Sequence, residues 1–210
     1  MRLIEKLEPS RHVQGRFLVW LEGEREPLRV TENEVASFAL YSGRTLEEEE
    51  LAELRQAGGL SSAKARGARM LGERPLSKRE LIRRLEQKGD APEHAQAAAD
   101  WLEKIGALNE LDYARSVVRH YTARGYGGQK LRQEFQRRGI SREFWDQALE
   151  EQSDPVERVT AFLEKKLRGQ QDDPKAVKRT TDALLRRGFR WEEIRAGLAR
   201  YGAEIEEESI

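Results

Sequence analysis

The stretch Lys130–Ile140, KLRQEFQRRGI, decides the fold. Leu131 and Phe135 stand four apart and therefore share one helical face, while Arg137, Arg138 and Gly139 close the segment. Glycine at that place suits the left-handed residue that ends a helix. The same spelling occurs upstream as Leu81, Leu85, Lys88, Gly89 and downstream as Thr180, Leu184, Arg187, Gly188. The three glycines recur at about fifty residues, and a fixed period of that length is the mark of a repeat architecture. Beyond each glycine the register continues with Ala95, Trp145 and Ile194 and, one turn later, Ala99, Leu149 and Leu198.

One unit can be built from that register. The leucine pair marks a buried stripe, the glycine ends its helix, and a second helix with its own apolar stripe (Ala95, Ala99, Leu102; Ile194, Leu198, Tyr201) follows. Another helical run lies upstream of each leucine helix, at Ala65–Leu71, Tyr113–Tyr121 and Val156–Leu167. Each unit thus reads as three helices. The fold class expected is mostly α: three tandem three-helix repeats over 61–108, 109–153 and 154–210, the last with an acidic tail, forming an elongated curved rod. Leu81, Leu85, Leu131, Phe135, Trp145, Leu184, Ile194 and Leu198 are its expected core.

Residues 1–60 are different in kind. Arg16–Leu21 (RFLVWL) is β-rich, Glu22-Gly23-Glu24 supplies a turn, and Pro27–Val30 returns, which predicts a hairpin. Thr31 and Glu34 have capping-box spacing for a helix through Leu40, and Thr45 is read as the cap of another through Gln56. Gly58-Gly59 and Ser61-Ser62 read as a linker into the first repeat.

The 210 residues are 36% charged and 38% hydrophobic, a balance that favours several small cores over one large one. The chain has no cysteine, which excludes disulfides and cysteine-ligated metals and fits a reducing compartment. Neither a signal-peptide core nor a run of membrane-span length is present, so the expected location is cytoplasmic. Net charge is zero but segregated. Residues 61–89 hold nine Lys or Arg against Glu73, Glu80 and Glu86, and 115–142 hold eight against Glu134 alone. The acid lies in Glu47–Glu50 with Glu53 and in Glu204, Glu206, Glu207 and Glu208. Such blocks suit a polyanion or an acidic protein surface, although cations in a last helical turn also offset the helix dipole.

Catalytic chemistry finds little support. His12, His94 and His120 lack metal-ligand spacing, and Gly125-Tyr126-Gly127-Gly128 lacks the lysine and hydroxyl residue of a nucleotide loop. It reads as a flexible inter-helix turn. Glu47–Glu50 point around a helix and not at one centre. The expectation is a non-enzymatic protein with no catalytic residues, no cofactor and no metal.

The ordered motifs resemble the RecX family of recombinase regulators. Ala68-Arg69-Met70-Leu71, then Arg74-Pro75-Leu76-Ser77-Lys78-Arg79-Glu80-Leu81 and Lys88-Gly89, resemble its opening repeat. Leu108, Asn109, Asp112, Tyr113 and Ala114, with Arg124-Gly125, Lys130-Leu131 and Arg138-Gly139-Ile140, are similar to its second. The third departs more, with Thr180 at an aliphatic position and an inserted Gly169–Pro174 loop. The resemblance covers 61 to about 200, and the N-terminal part looks like an extension that some members carry. It implies a monomeric regulator of the RecA nucleoprotein filament, acting in DNA repair, homologous recombination and the SOS response. Such a protein lodges in the filament groove, suppresses ATP hydrolysis, strand exchange and co-protease activity, and touches single- and double-stranded DNA weakly.

Partner-binding residues are expected on the basic helices: Lys78, Arg79, Arg83 and Arg84 in the first repeat; Arg115, Arg119, Arg124, Lys130, Arg132, Arg137 and Arg138 in the second; Arg186 and Arg187 in the third. Two other readings stand beside this one. A helix-turn-helix-like DNA binder acting without RecA fits the short helices and the Gln129, Gln133 and Gln136 set, and a scaffold follows from architecture alone.

Overall fold

The computed structural model describes residues 1–170 and 172–202, so the acidic residues Glu204, Glu206, Glu207 and Glu208 lie outside the described part. Backbone packing divides the chain into two units, Met1–Leu108 and Asn109–Ile210.

The first unit opens with strands β1 (Arg2–Pro9), β2 (Arg16–Leu21) and β3 (Leu28–Thr31), helix α1 (Glu32–Ser37) and the short β4 (Thr45–Leu46). The expected hairpin is two strands of an antiparallel four-stranded sheet in the order β3-β2-β1-β4. β1 escapes sequence reading because Glu and Lys are poor strand formers and a bulge between Ile4 and Lys6 breaks the alternation. Pairing with β2, Ile4 opposite Leu21, makes it a strand. The Thr31–Glu34 capping box forms, but α1 ends at Ser37 and not Leu40. Thr45 is no cap. It pairs with Leu3 in β4, and Glu47 precedes the next helix.

That helix, α2 (Glu48–Glu73), runs without a break through the expected linker, so position 60/61 falls inside it. Three of its four glycines are sites of close approach. A Cβ on Gly58 would sit 3.0 Å from the Arg29 carbonyl oxygen, on Gly59 2.3 Å from the His94 ring, and on Gly67 2.7 Å from Leu102. The sheet core (Ile4, Val19, Leu21, Val30) closes on Leu51 and Leu54 of α2. Further along, Ala63 joins the core of α3 (Lys78–Gln87) and α4 (Pro92–Lys104), with Leu81, Leu85, Ala95, Ala99 and Leu102. One helix therefore serves both cores, and Gly89 ends α3 at φ +89°.

In the second unit, α5 (Glu110–Ala123) and α6 (Gly128–Arg138) bury Val118, Leu131 and Phe135, and Gly139 ends α6 at φ +69°. The third helix of this repeat is curtailed to a 3-10 turn, Arg142–Phe144, and a short α7, Trp145–Leu149, because Pro155 already opens the next helix. Trp145 is accordingly half-buried, not core. Its indole N–H donates to the Ile140 carbonyl oxygen at 3.0 Å, and its ring lies 5.8 Å from Phe135. The last repeat packs α8 (Pro155–Leu167), α9 (Pro174–Arg186) and α10 (Trp191–Tyr201) around Val159, Leu163, Leu184, Phe189, Ile194 and Leu198. Thr180, out of pattern in the sequence, is buried with its hydroxyl donating to the Ala176 carbonyl oxygen at 2.8 Å.

Candidate functional site

The basic residues separate once their partners are counted. Arg79 is exposed on α3 with no ion pair among the described residues. Arg83 and Arg84 both reach back to Glu80, at 2.7 and 2.6 Å. Lys78 bridges α3 to α4 through Asp100 at 2.8 Å and Glu103 at 2.6 Å, and these hydrogen bonds raise its pKa. Lys78 therefore fastens the repeat.

In the second repeat Arg115 and Arg119 converge on Glu151 at 2.8 and 3.3 Å, and Arg132 reaches Asp146 at 3.1 Å. Arg137 and Arg138 flank Glu134 at 2.7 and 3.5 Å, and Arg138 also donates to the Tyr113 hydroxyl at 2.8 Å. Arg124 lies beside the His120 ring, 3.3 Å from Nε2. Lys130 is half-buried at its stem and has no ion pair among the described residues.

Arg187 is spent inside the second unit. Its guanidinium donates to the Arg124 and Gly125 carbonyl oxygens at 3.0 and 3.4 Å and lies over the rings of Tyr126 and Phe162. Arg158, which sequence reading passed over, donates to the Tyr126 carbonyl oxygen at 2.5 Å and lies over Phe189. Burial lowers its pKa. The glycine turn they hold is tied to the third repeat: Gly127 N–H donates to Arg187 O at 2.8 Å and Gln129 N–H to Gly188 O at 3.0 Å. A Cβ on Gly127 would meet that Gly188 oxygen at 2.3 Å, so glycine here permits contact between backbones. The turn is the seam of the second and third repeats.

Arg186 is exposed on α9 without an ion pair among the described residues, as are Lys178 and Arg179, which sequence reading missed. The repeat register itself identifies Arg179. It occupies the place in α9 that Lys130 has in α6, and Arg186 the place of Arg137. Free cations thus lie on α3, α6 and α9, the equivalent helix of each repeat, and also at Lys104 on α4, Lys165 and Lys166 on α8 and Arg200 on α10. Among the described residues no group of three or more His, Cys, Asp or Glu is placed to hold a metal ion, and no helix is long and apolar enough to cross a membrane.

A chain of three-helix repeats of this kind belongs to the class of helical-repeat proteins. Residues 109–149 match the model of the second three-helix domain of RecX, and 152–198 match that of the third. Regulatory protein RecX of Pseudomonas entomophila (strain L48) is 35% identical over 127 residues, 60% of this chain and 82% of the relative. That of Trichlorobacter lovleyi is 35% identical over 134 residues, covering 60% of this chain and 87% of the relative. A crystal structure of regulatory protein RecX matches 95% of this chain and 100% of its own with a TM-score of 0.72 at 21% identity. RecX from Lactobacillus salivarius matches 70% and 98% with a TM-score of 0.64 at 18% identity. These two support the fold. The chain belongs to the RecX family of regulatory proteins.

Proposed function

We propose that this chain is a non-enzymatic inhibitor of RecA recombinase. In this reading it lodges in the groove of the RecA nucleoprotein filament and suppresses ATP hydrolysis, strand exchange and co-protease activity. The supporting observation is the recurrence of free cations on α3, α6 and α9: Arg79, Lys130, Lys178, Arg179 and Arg186. A filament offers the same surface once per subunit, and weak contacts repeated against it gain from effective concentration without one deep pocket. Family membership supplies the regulatory role.

RecA assembled on single-stranded DNA supplies the test. Added protein is expected to lower ATP turnover at comparable or substoichiometric amounts, and unchanged turnover at saturation refutes the reading. A second reading, duplex binding without recombinase, draws on Gln129, Gln133 and Gln136, all exposed on α6. Reversing Arg79, Lys130 and Arg186 to Glu separates the two. An acidic protein target predicts lost inhibition with little change in duplex binding, whereas a phosphate target predicts both falling together, with about 0.9 of salt slope lost per contact.

A further inference from the structure

A second concentration of positive charge lies apart from the cations of α3, α6 and α9, where the sheet meets α2. Ser62, Ala65, Arg66 and Arg69 fall on one stripe of α2. Across from them, Arg16 and Arg29 are diagonal neighbours on one face of the β2–β3 pair, since Arg16 opposes Thr31 and Leu18 opposes Arg29. Between the two pairs runs a cleft of about 400 Å3, lined also by Ser10, His12 and Pro27 and by no acidic side chain.

Arg66 is matched by Asp90, but Arg16, Arg29 and Arg69 have no ion pair among the described residues. The Arg16 guanidinium is fixed by hydrogen bonds to the Ser61 and Ser62 hydroxyls at 2.9 and 3.2 Å and to the Ser61 carbonyl oxygen at 2.6 Å. Burial holds its pKa below the ordinary value. Glu34 offsets part of that, while repulsion from Arg29 and Arg66 adds to it. Like charges have been gathered and one of them clamped in place. An anion entering the cleft relieves the repulsion.

A neighbouring cavity of about 730 Å3 shares Val13, Arg16 and Ala65 with the cleft, is lined also by Glu34 and Lys64, and is bounded by Trp101. Trp101 is 37% exposed, and Lys64 Nζ lies over its ring, 4.9 Å from the centroid. An aromatic face beside a clamped arginine cluster is the equipment of a single-strand binder, in which phosphates follow the cations and an unstacked base lies on the ring. A duplex keeps its bases stacked inside and has none to offer.

We propose that this face of the first unit is a binding cleft for a single nucleic-acid strand, with Arg16, Arg29 and Arg69 on its phosphates and Trp101 under a base. The cleft lies between the N-terminal sheet and the first repeat and does not depend on the RecA reading, because its test uses no recombinase. Labelled oligothymidylate of about 16 nucleotides is titrated into the full chain and followed by anisotropy across a salt series. Arg29→Glu with Arg69→Glu, both exposed, is expected to weaken binding and remove about 1.4 from the salt slope. Trp101→Ala is expected to cost about tenfold, with Trp101→Phe restoring most of it. Circular dichroism confirms that the variants fold. Undiminished binding by the double reversal overturns the proposal, as does an equal loss of affinity for a duplex of the same length in that variant or equal competition by polyglutamate. A parallel arm with oligouridylate distinguishes the two kinds of strand: loss of either one's binding in the double reversal supports the cleft, and loss of neither overturns it.

Discussion

Glu134 shows how a single side chain can look free in sequence and be committed in structure. It is the only acid among the basic residues of 115–142, and it is buried, with 7% of its surface exposed. Burial raises its pKa, but hydrogen bonds from Arg137 and Tyr121 and the charges of Arg137 and Arg138 outweigh it, and the net shift is downward. A carboxyl whose pKa is lower folded than unfolded stabilises the fold fully above its unfolded value of about 4.3, and that contribution is lost as pH falls through the folded value. Glu134→Gln is expected to cost about 1 to 3 kcal/mol at neutral pH, with the exposed end of Arg137 keeping it toward the lower figure. The gap between the two proteins should narrow as pH falls below the unfolded value of about 4.3 and close once it has passed the lower folded value. Denaturant melts across pH check this, and a gap independent of pH would show that the carboxylate charge contributes nothing. Salt links of this kind tie up most of the basic residues singled out by their charge, whereas Arg79, Lys130 and Arg186 have none among the described residues.

At the scale of the element, α2 is the instructive case. Its glycines and serines spell a linker by local rules, because glycine costs a helix about 0.5 to 1 kcal/mol per residue. The helix forms regardless because its neighbours approach too closely for side chains at Gly58, Gly59 and Gly67. Gly72 has nothing within 4 Å of a built Cβ, so it keeps the entropic cost without the packing reason. Two substitutions in one helix should therefore have opposite signs. Gly72→Ala is expected to stabilise by about 0.5 to 1 kcal/mol, and Gly67→Ala to destabilise by about 1 to 3 kcal/mol as it meets Leu102. Thermal melts of the pair decide it, and a stabilising Gly67→Ala would mean that the core yields there. The turn at Gly125–Gly128 follows the same logic: the glycine content was legible, but the backbone contact with Gly188 that it permits lies far along the chain.

For the whole molecule, the division into Met1–Leu108 and Asn109–Ile210 has an energetic consequence. The sheet core and first-repeat core belong to one unit, and the cores around Phe135 and Leu163 to the other. Leu163→Ala is expected to lower hydrogen-exchange protection in Asn109–Tyr201 by about 2 to 5 kcal/mol and to leave amides around Leu81 and Leu54 unchanged. Equal loss of protection throughout would mean that the chain opens as one cooperative body.

Residue spacing alone determined the repeats, their helix-ending glycines at 89, 139 and 188, and the leucine and phenylalanine cores, because a helix's buried stripe and its end are local properties written in consecutive residues. The motifs in those repeats were sufficient for the family. Tertiary structure decided the rest. It made a strand of the charge-rich Arg2–Pro9, carried α2 through two glycines and two serines, and cut short the third helix of the second repeat. It also turned Lys78 and Arg187 into fasteners and gathered Arg16, Arg29 and Arg69 about one cleft. Each of these depends on which atoms meet across tens of residues, and composition and period carry no record of such meetings.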